Sequence, residues 1–78
     1  LNEKERELRK VWEFTKDFWQ LIKKYYFPPA DPAAPYWPAL IAESSELAKK
    51  HGNHRLAEKL ILAFLDYLEE ERKVSKDT

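Results

Sequence analysis

The sequence predicts an all-α protein, an antiparallel three-helix bundle, and three observations carry that prediction. Apolar side chains recur at alternating steps of three and four residues over three separate stretches. A proline-rich segment and the pair Gly52-Asn53 part those stretches. Nowhere does the chain show the strict apolar–polar alternation of a half-buried strand. Seventy-eight residues fit a single domain, read here as residues 1–78.

Helix 1 is expected over about residues 3–26. Leu8, Val11, Thr15, Phe18, Ile22 and Tyr25 form its central row. Trp12, Trp19 and Tyr26 stand beside that row at steps of seven, and Phe14 and Leu21 flank it on the other side. At about 100° per residue these rows cover roughly half the circumference, wider than a one-sided amphipathic stripe. A helix of this kind must be contacted from two directions, which a third helix supplies. Its first residues, Asn2 to Lys10, are nearly all charged. Pairs such as Glu5–Arg9 and Glu7–Lys10 support helix there with little packing, so that end is expected to project or fray.

Residues 27–35 read as a connector. Pro28, Pro29, Pro32 and Pro35 remove backbone donors and push the residues before them out of helical geometry. Asp31 followed by Pro32 suits a short capped turn inside the segment. Helix 2 follows over about residues 36–51, with Trp37-Pro38 as the preferred start. Trp37, Leu40, Ile41, Ser44, Leu47 and Ala48 line one face, where Ser44 is small enough to let a neighbouring helix approach. Gly52 supplies the left-handed residue that ends many helices, and Asn53 suits the N-cap of the next. Helix 3 is expected over about residues 54–73. Ala57, Leu60, Ile61, Phe64, Tyr67 and Leu68 point inward, Leu65 lies on a shoulder, and Leu62 points away. Residues 74–78 are polar and are expected to be a disordered tail.

Composition narrows function by exclusion. Lys and Arg total 14, Asp and Glu total 14, and the formal net charge is zero, which argues against a partner held by bulk charge such as duplex DNA or an anionic membrane. Without cysteine there are no disulfides or thiolate metal sites, so stability must come from packing three Trp, four Tyr and four Phe. The longest apolar run, Leu60 to Leu65, falls far short of the roughly 20 residues of a membrane span. No signal or transit segment is read, and a cytoplasmic setting is the expectation.

The chemistry-bearing residues form no recognisable set. His51 and His54 are the only histidines; a stable zinc site needs three or four ligands, so His51 reads as a helix end and His54 as a solvated first turn. Glu69, Glu70 and Glu71 lie in charged surroundings, where no carboxyl acquires the raised pKa of a general acid. Ser44 and Ser45 have no base and orienting acid at catalytic spacing. One glycine in the chain rules out a glycine-rich phosphate loop. Thus no catalytic, cofactor or metal residues are expected, and no small-molecule substrate is evident. Helix 2, Gly52 and helix 3 invite comparison with a helix-turn-helix, in which Arg55 and Lys59 would face nucleic acid. Asn53 and Glu58 fall where that motif packs apolar residues, so this nucleic-acid-binding hairpin ranks as the alternative.

The surplus of aromatic and apolar surface is more informative. Trp12, Trp19, Tyr36 and Trp37 exceed what a minimal bundle needs. One reading has them close the core beneath the prolines; the other leaves them as an interaction surface for another protein or a second copy. Leu62 and Leu65 form a second candidate patch.

Three strings carry a resemblance: Phe18-Trp19-Gln20-Leu21-Ile22-Lys23-Lys24-Tyr25-Tyr26, then Tyr36-Trp37-Pro38-Ala39-Leu40-Ile41, then Leu60 to Glu69. With them the chain resembles short helical proteins of Gram-positive bacteria and their prophages. The resemblance spans most of the chain, rests on aromatic spacing, and carries over no functional residues. Pro38 departs from the acidic or polar residue expected after Tyr-Trp. A computed or redesigned sequence is the competing origin, since Cys and Met are both absent and Glu and Lys are balanced; the long proline connector departs from idealised design. The expected function is therefore that of a non-catalytic helical scaffold, designed or redesigned, or of a small protein–protein interaction module.

Overall fold

The computed structural model describes residues 2–77 and is all-helical, with no strand among them. Three helices, α1 (Glu3–Tyr25), α2 (Tyr36–Lys50) and α3 (Arg55–Asp77), pack so that each touches the other two. The Asn2 side chain caps α1 by accepting the Glu5 N–H at 2.8 Å. Glu3 and Glu5 in the first turn, with Lys23 and Lys24 in the last, suit the helix dipole.

The core consists of Phe14, Leu21 and Tyr25 from α1, Leu40 and Leu47 from α2, and Ala57, Ile61, Phe64 and Leu68 from α3. Leu40 and Leu68 are the most deeply enclosed large side chains. Ser44 is buried among these residues, and its hydroxyl has no hydrogen-bond partner among the described residues. Its small size, which lets α3 approach, is what the position uses.

The core is centred on a different row of α1 from the one expected. Phe14 and Leu21, read as a flank, are buried, whereas Thr15 is exposed and Val11, Phe18 and Ile22 are half-buried. The cause lies in α2, which covers α1 past the apolar arc and onto its charged side. Asp17 meets Lys50 and His51, and Lys24 meets Glu43. Placing α2 there turns the Trp12 and Trp19 row outward.

Residues 26–35 lie in no helix. Within them Asp31 builds the expected turn: its carboxylate accepts the Ala33 N–H at 2.9 Å and its carbonyl accepts the Ala34 N–H at 3.2 Å. α2 begins at Tyr36, at the expected bound and one residue before the preferred Trp37-Pro38 entry. Pro38 then falls in the first turn, where a backbone N–H has no intrahelical acceptor, so the missing donor costs nothing there.

The α2–α3 turn satisfies the end of α2 with two bonds, Gly52 N–H to Lys49 O at 3.0 Å and Asn53 N–H to Ala48 O at 2.8 Å. Gly52 (φ 67°) and Asn53 (φ 54°) are both left-handed. Asn53 is thus consumed by the turn, and His54 replaces it as the cap of α3. The His54 Nδ1 accepts the Leu56 N–H at 3.2 Å. At the other end, α3 continues through Val74 to Asp77, where a disordered tail was expected. No glycine or proline follows Gly52 to stop the helix. Thr78, the last residue of that expected tail, lies outside the described residues.

Candidate functional site

The six candidate surface residues separate into three groups. Tyr36 and Trp37 are half-buried and hold the connector to the bundle. The Tyr36 hydroxyl donates to the Tyr25 carbonyl at the end of α1, and the Trp37 indole Nε1–H donates to the Asp31 carbonyl at 3.1 Å. Tyr36 also packs edge-on against Tyr25 and Trp37. Burial pushes the Tyr36 phenol above its ordinary pKa, which keeps the donor proton in place. These two rings therefore close the end of the core.

Leu62 and Leu65 border the seam between α2 and α3. Leu65 is half-buried and packs on the core, while Leu62 is exposed. With Ile41, Ala48 and Ile61 they line a shallow groove of about 240 Å³.

Trp12 and Trp19 stand outside the core, 58 % and 54 % exposed. Helical spacing puts Leu8, Trp12, Trp19 and Tyr26 on one strip of α1, on the side of its core row away from the Asp17 and Lys24 contacts with α2. That strip borders α3, where Tyr26 stacks on Tyr67 with ring centroids 6.4 Å apart. On α3 the matching strip holds Leu56, Leu60, Ala63, Tyr67 and Val74, again at steps of four and three. Of these, Leu56, Tyr67 and Val74 are exposed large apolar groups, as are Leu8, Trp12, Trp19 and Tyr26 on the α1 strip and Phe27 just beyond it. The apolar spacing sets Leu8, Leu60 and Tyr67 on core-facing rows, yet Leu8 and Tyr67 are exposed on this face; the signal of its α3 half is a second apolar row one position before the core row.

Lysines edge this surface. Lys16 Nζ lies 5.9 Å from the Trp12 ring centroid and Lys23 Nζ 5.8 Å from that of Trp19. Taking about 150–250 Å² for a whole aromatic side chain, the eight exposed groups together offer several hundred Å² of apolar area, comparable to the largest patch of a typical monomer.

The histidines face separate carboxylates. His51 is the C-cap residue of α2, with its ring edge-on to Phe14, and its Nε2–H donates to Asp17 Oδ2 at 2.8 Å. An ionised carboxylate only accepts, so Nε2 carries the proton. His54 Nε2–H donates to Glu7 Oε2 at 3.3 Å, which leaves Nδ1 free to cap α3. Hydrogen bonds from Lys50 and His51 hold the Asp17 carboxyl below the usual carboxylate range, and His54 and Lys10 do the same for Glu7. No group of three or more His, Cys, Asp or Glu side chains converges on one point among the described residues. Between the two histidines, Val11, Phe14 and Ala57 floor an open groove of about 490 Å³ edged by Arg6 and Arg9. Arg55 and Lys59, the candidate nucleic-acid contacts, are exposed on α3 with Glu58 between them.

No helix among the described residues is long and apolar enough to cross a membrane. Comparison of the chain with protein-family models, curated proteins and solved structures finds no match.

Proposed function

We propose that this protein is a non-catalytic helical interaction module whose working surface is the outer face of α1 and α3. One observation carries the reading: two parallel apolar strips, one per helix, border the same seam and remain exposed along most of its length. Consecutive helices run antiparallel in this reading. Asp17 meets the end of α2 at Lys50 and His51, whereas Lys24 meets Glu43 nearer its start. α1 and α3 then run the same way, in keeping with Glu7 beside His54 and Tyr26 beside Tyr67. The prolines of the connector stiffen the crossing from α1 to α2, and Tyr36 and Trp37 clamp it. The α1–α3 face is then a fixed, preformed surface of the kind that loses little entropy on docking. Its partner is a protein, recognised by aromatic side chains that supply large area at low ordering cost.

Tryptophan accessibility in dilute solution tests this directly. In variants retaining one tryptophan each, Trp12 and Trp19 should emit like water-exposed indoles and quench freely with acrylamide, while Trp37 is protected. Blue-shifted, quench-resistant emission from Trp12 and Trp19 at low concentration would overturn the reading.

A further inference from the structure

We infer that the partner of this face is a second copy of the same chain, packed across a twofold axis that runs through Trp19 with the two α1 helices antiparallel. The inference rests on the interaction-face reading above and adds who occupies the face and in what direction.

Three features support it. First, the aromatic row is symmetric about its centre: Trp12 stands seven residues before Trp19 and Tyr26 seven after. Reversing the helix end for end lays Trp12 of one copy on Tyr26 of the other and brings the two Trp19 rings together at the axis, as an isologous contact requires. Second, α3 repeats the symmetry in charge. Phe18 touches Phe64, with ring centroids 5.8 Å apart, so residue 64 lies level with the proposed axis. Lys59 stands five residues before that level and Glu70 six after it, both exposed. The same reversal places each Lys59 near the other copy's Glu70. A parallel arrangement would set lysine against lysine there; on α1 the reversal still brings Lys16 near the other copy's Lys23, so the charge match belongs to α3 alone. Third, Ala63 is exposed one residue before the Phe64 level, and its methyl group is the smallest side chain of the α3 strip, which suits the approach of the other copy's indole. The apolar area on offer is of the order of the roughly 800 Å² per partner that a standard interface buries.

Sedimentation equilibrium from micromolar to millimolar concentration tests this on the whole chain. The expected result is a reversible dimer of twice the 9.4 kDa chain mass. Trp19→Ala should weaken dimerisation by about 30-fold or more, the size of a central hot spot. Ala63→Arg should abolish it while leaving the monomer's helicity unchanged, since the site is exposed and arginine is a good helix former. Lys59→Glu should weaken the dimer, and adding Glu70→Lys in the same chain should restore it. A dimer that the double exchange fails to restore would overturn the antiparallel arrangement. A chain that stays monomeric at millimolar concentration with freely quenched Trp12 and Trp19 would overturn self-association and leave the interaction face standing. A monomer whose Trp12 and Trp19 are shielded would overturn both.

Discussion

The two seams of α1 are closed by different means. Toward α2, the edge of the core is sealed by charge. Asp17 takes Lys50 at 2.9 Å and His51 at 2.8 Å, and Lys24 takes Glu43 at 2.7 Å. Toward α3 one polar contact, Glu7 with His54 at 3.3 Å, lies near the start of α1; beyond it the edge is lined by Trp12, Trp19 and Tyr26, with Lys16 and Lys23 over the two indoles. Burial of the core accounts for both inner edges. It does not account for the outer strip, because a monomer gains nothing from holding indoles in water where polar side chains would serve. The difference teaches that a charged seam is finished within the chain, whereas an aromatic one is suited to a surface brought from outside.

Cutting both seams at once should give the largest effect. Phe14 is buried where they meet, stacked on Phe18 at 5.2 Å and edge-on to His51 at 5.4 Å. Phe14→Ala should cost about 3–5 kcal/mol. A domain of this length has a total stability of roughly 4–12 kcal/mol. Urea denaturation followed by circular dichroism should therefore show a midpoint lowered by a large part of its range, or a chain unfolded without denaturant. A loss below about 1 kcal/mol would mean that the seams do not share a core.

A smaller effect should come from the charged seam alone. Asp17→Asn keeps the shape and removes the charge that Lys50 and His51 face, at a cost of about 0.5–1 kcal/mol for a half-exposed cluster. The pH dependence has a definite sign. The folded carboxyl lies below its unfolded value near 4, so its contribution is complete above that value and disappears as pH falls through the folded one. The difference between parent and variant should therefore be present at about pH 5 and vanish in stronger acid. A difference that grew as the solution was acidified below about pH 4 would contradict the assignment.

These contrasts also mark what the sequence makes legible. The three helices and nearly all core residues follow from apolar spacing, because burial imposes the helical period on every segment it uses. The rotation of α1 does not follow. Its apolar rows span about half a turn, and nothing local says which edge a neighbour will cover. Contacts between distant residues decide it, Asp17 with Lys50 and His51 and Lys24 with Glu43, and such cross-helix pairs depend on register. The end of α3 was missed for a different reason. Lys73 and Val74, the next residues after Arg72, are exposed and do not mark the helix; it persists because no breaker intervenes. Of the candidate surface, Trp12 and Trp19 were legible as surplus aromatics. Their separation from Tyr36 and Trp37 was not, since residue type is the same in both pairs and only the Asp31 and Tyr25 carbonyls distinguish them.

The smallest expected change sharpens the comparison most. In dilute monomer, Trp12→Ala should alter stability by no more than about 0.5 kcal/mol, the range of surface substitutions without a structural role. Trp12 is 58 % exposed, with Lys16 Nζ over its ring at 5.9 Å from the centroid. Alanine also favours helix over tryptophan by a few tenths of a kcal/mol, which offsets part of the lost contact. Trp37→Ala is the matched control. That indole is half-buried against the core and donates to the Asp31 carbonyl, so its removal should cost about 2 kcal/mol, from lost apolar area and an acceptor left with one donor fewer. Paired thermal melts of the two variants separate the cases. Near-silence at Trp12 beside a clear loss at Trp37 is the outcome of a ring held for a partner and a ring held for the fold. Equal losses would place both in the core and remove the distinction between the two seams.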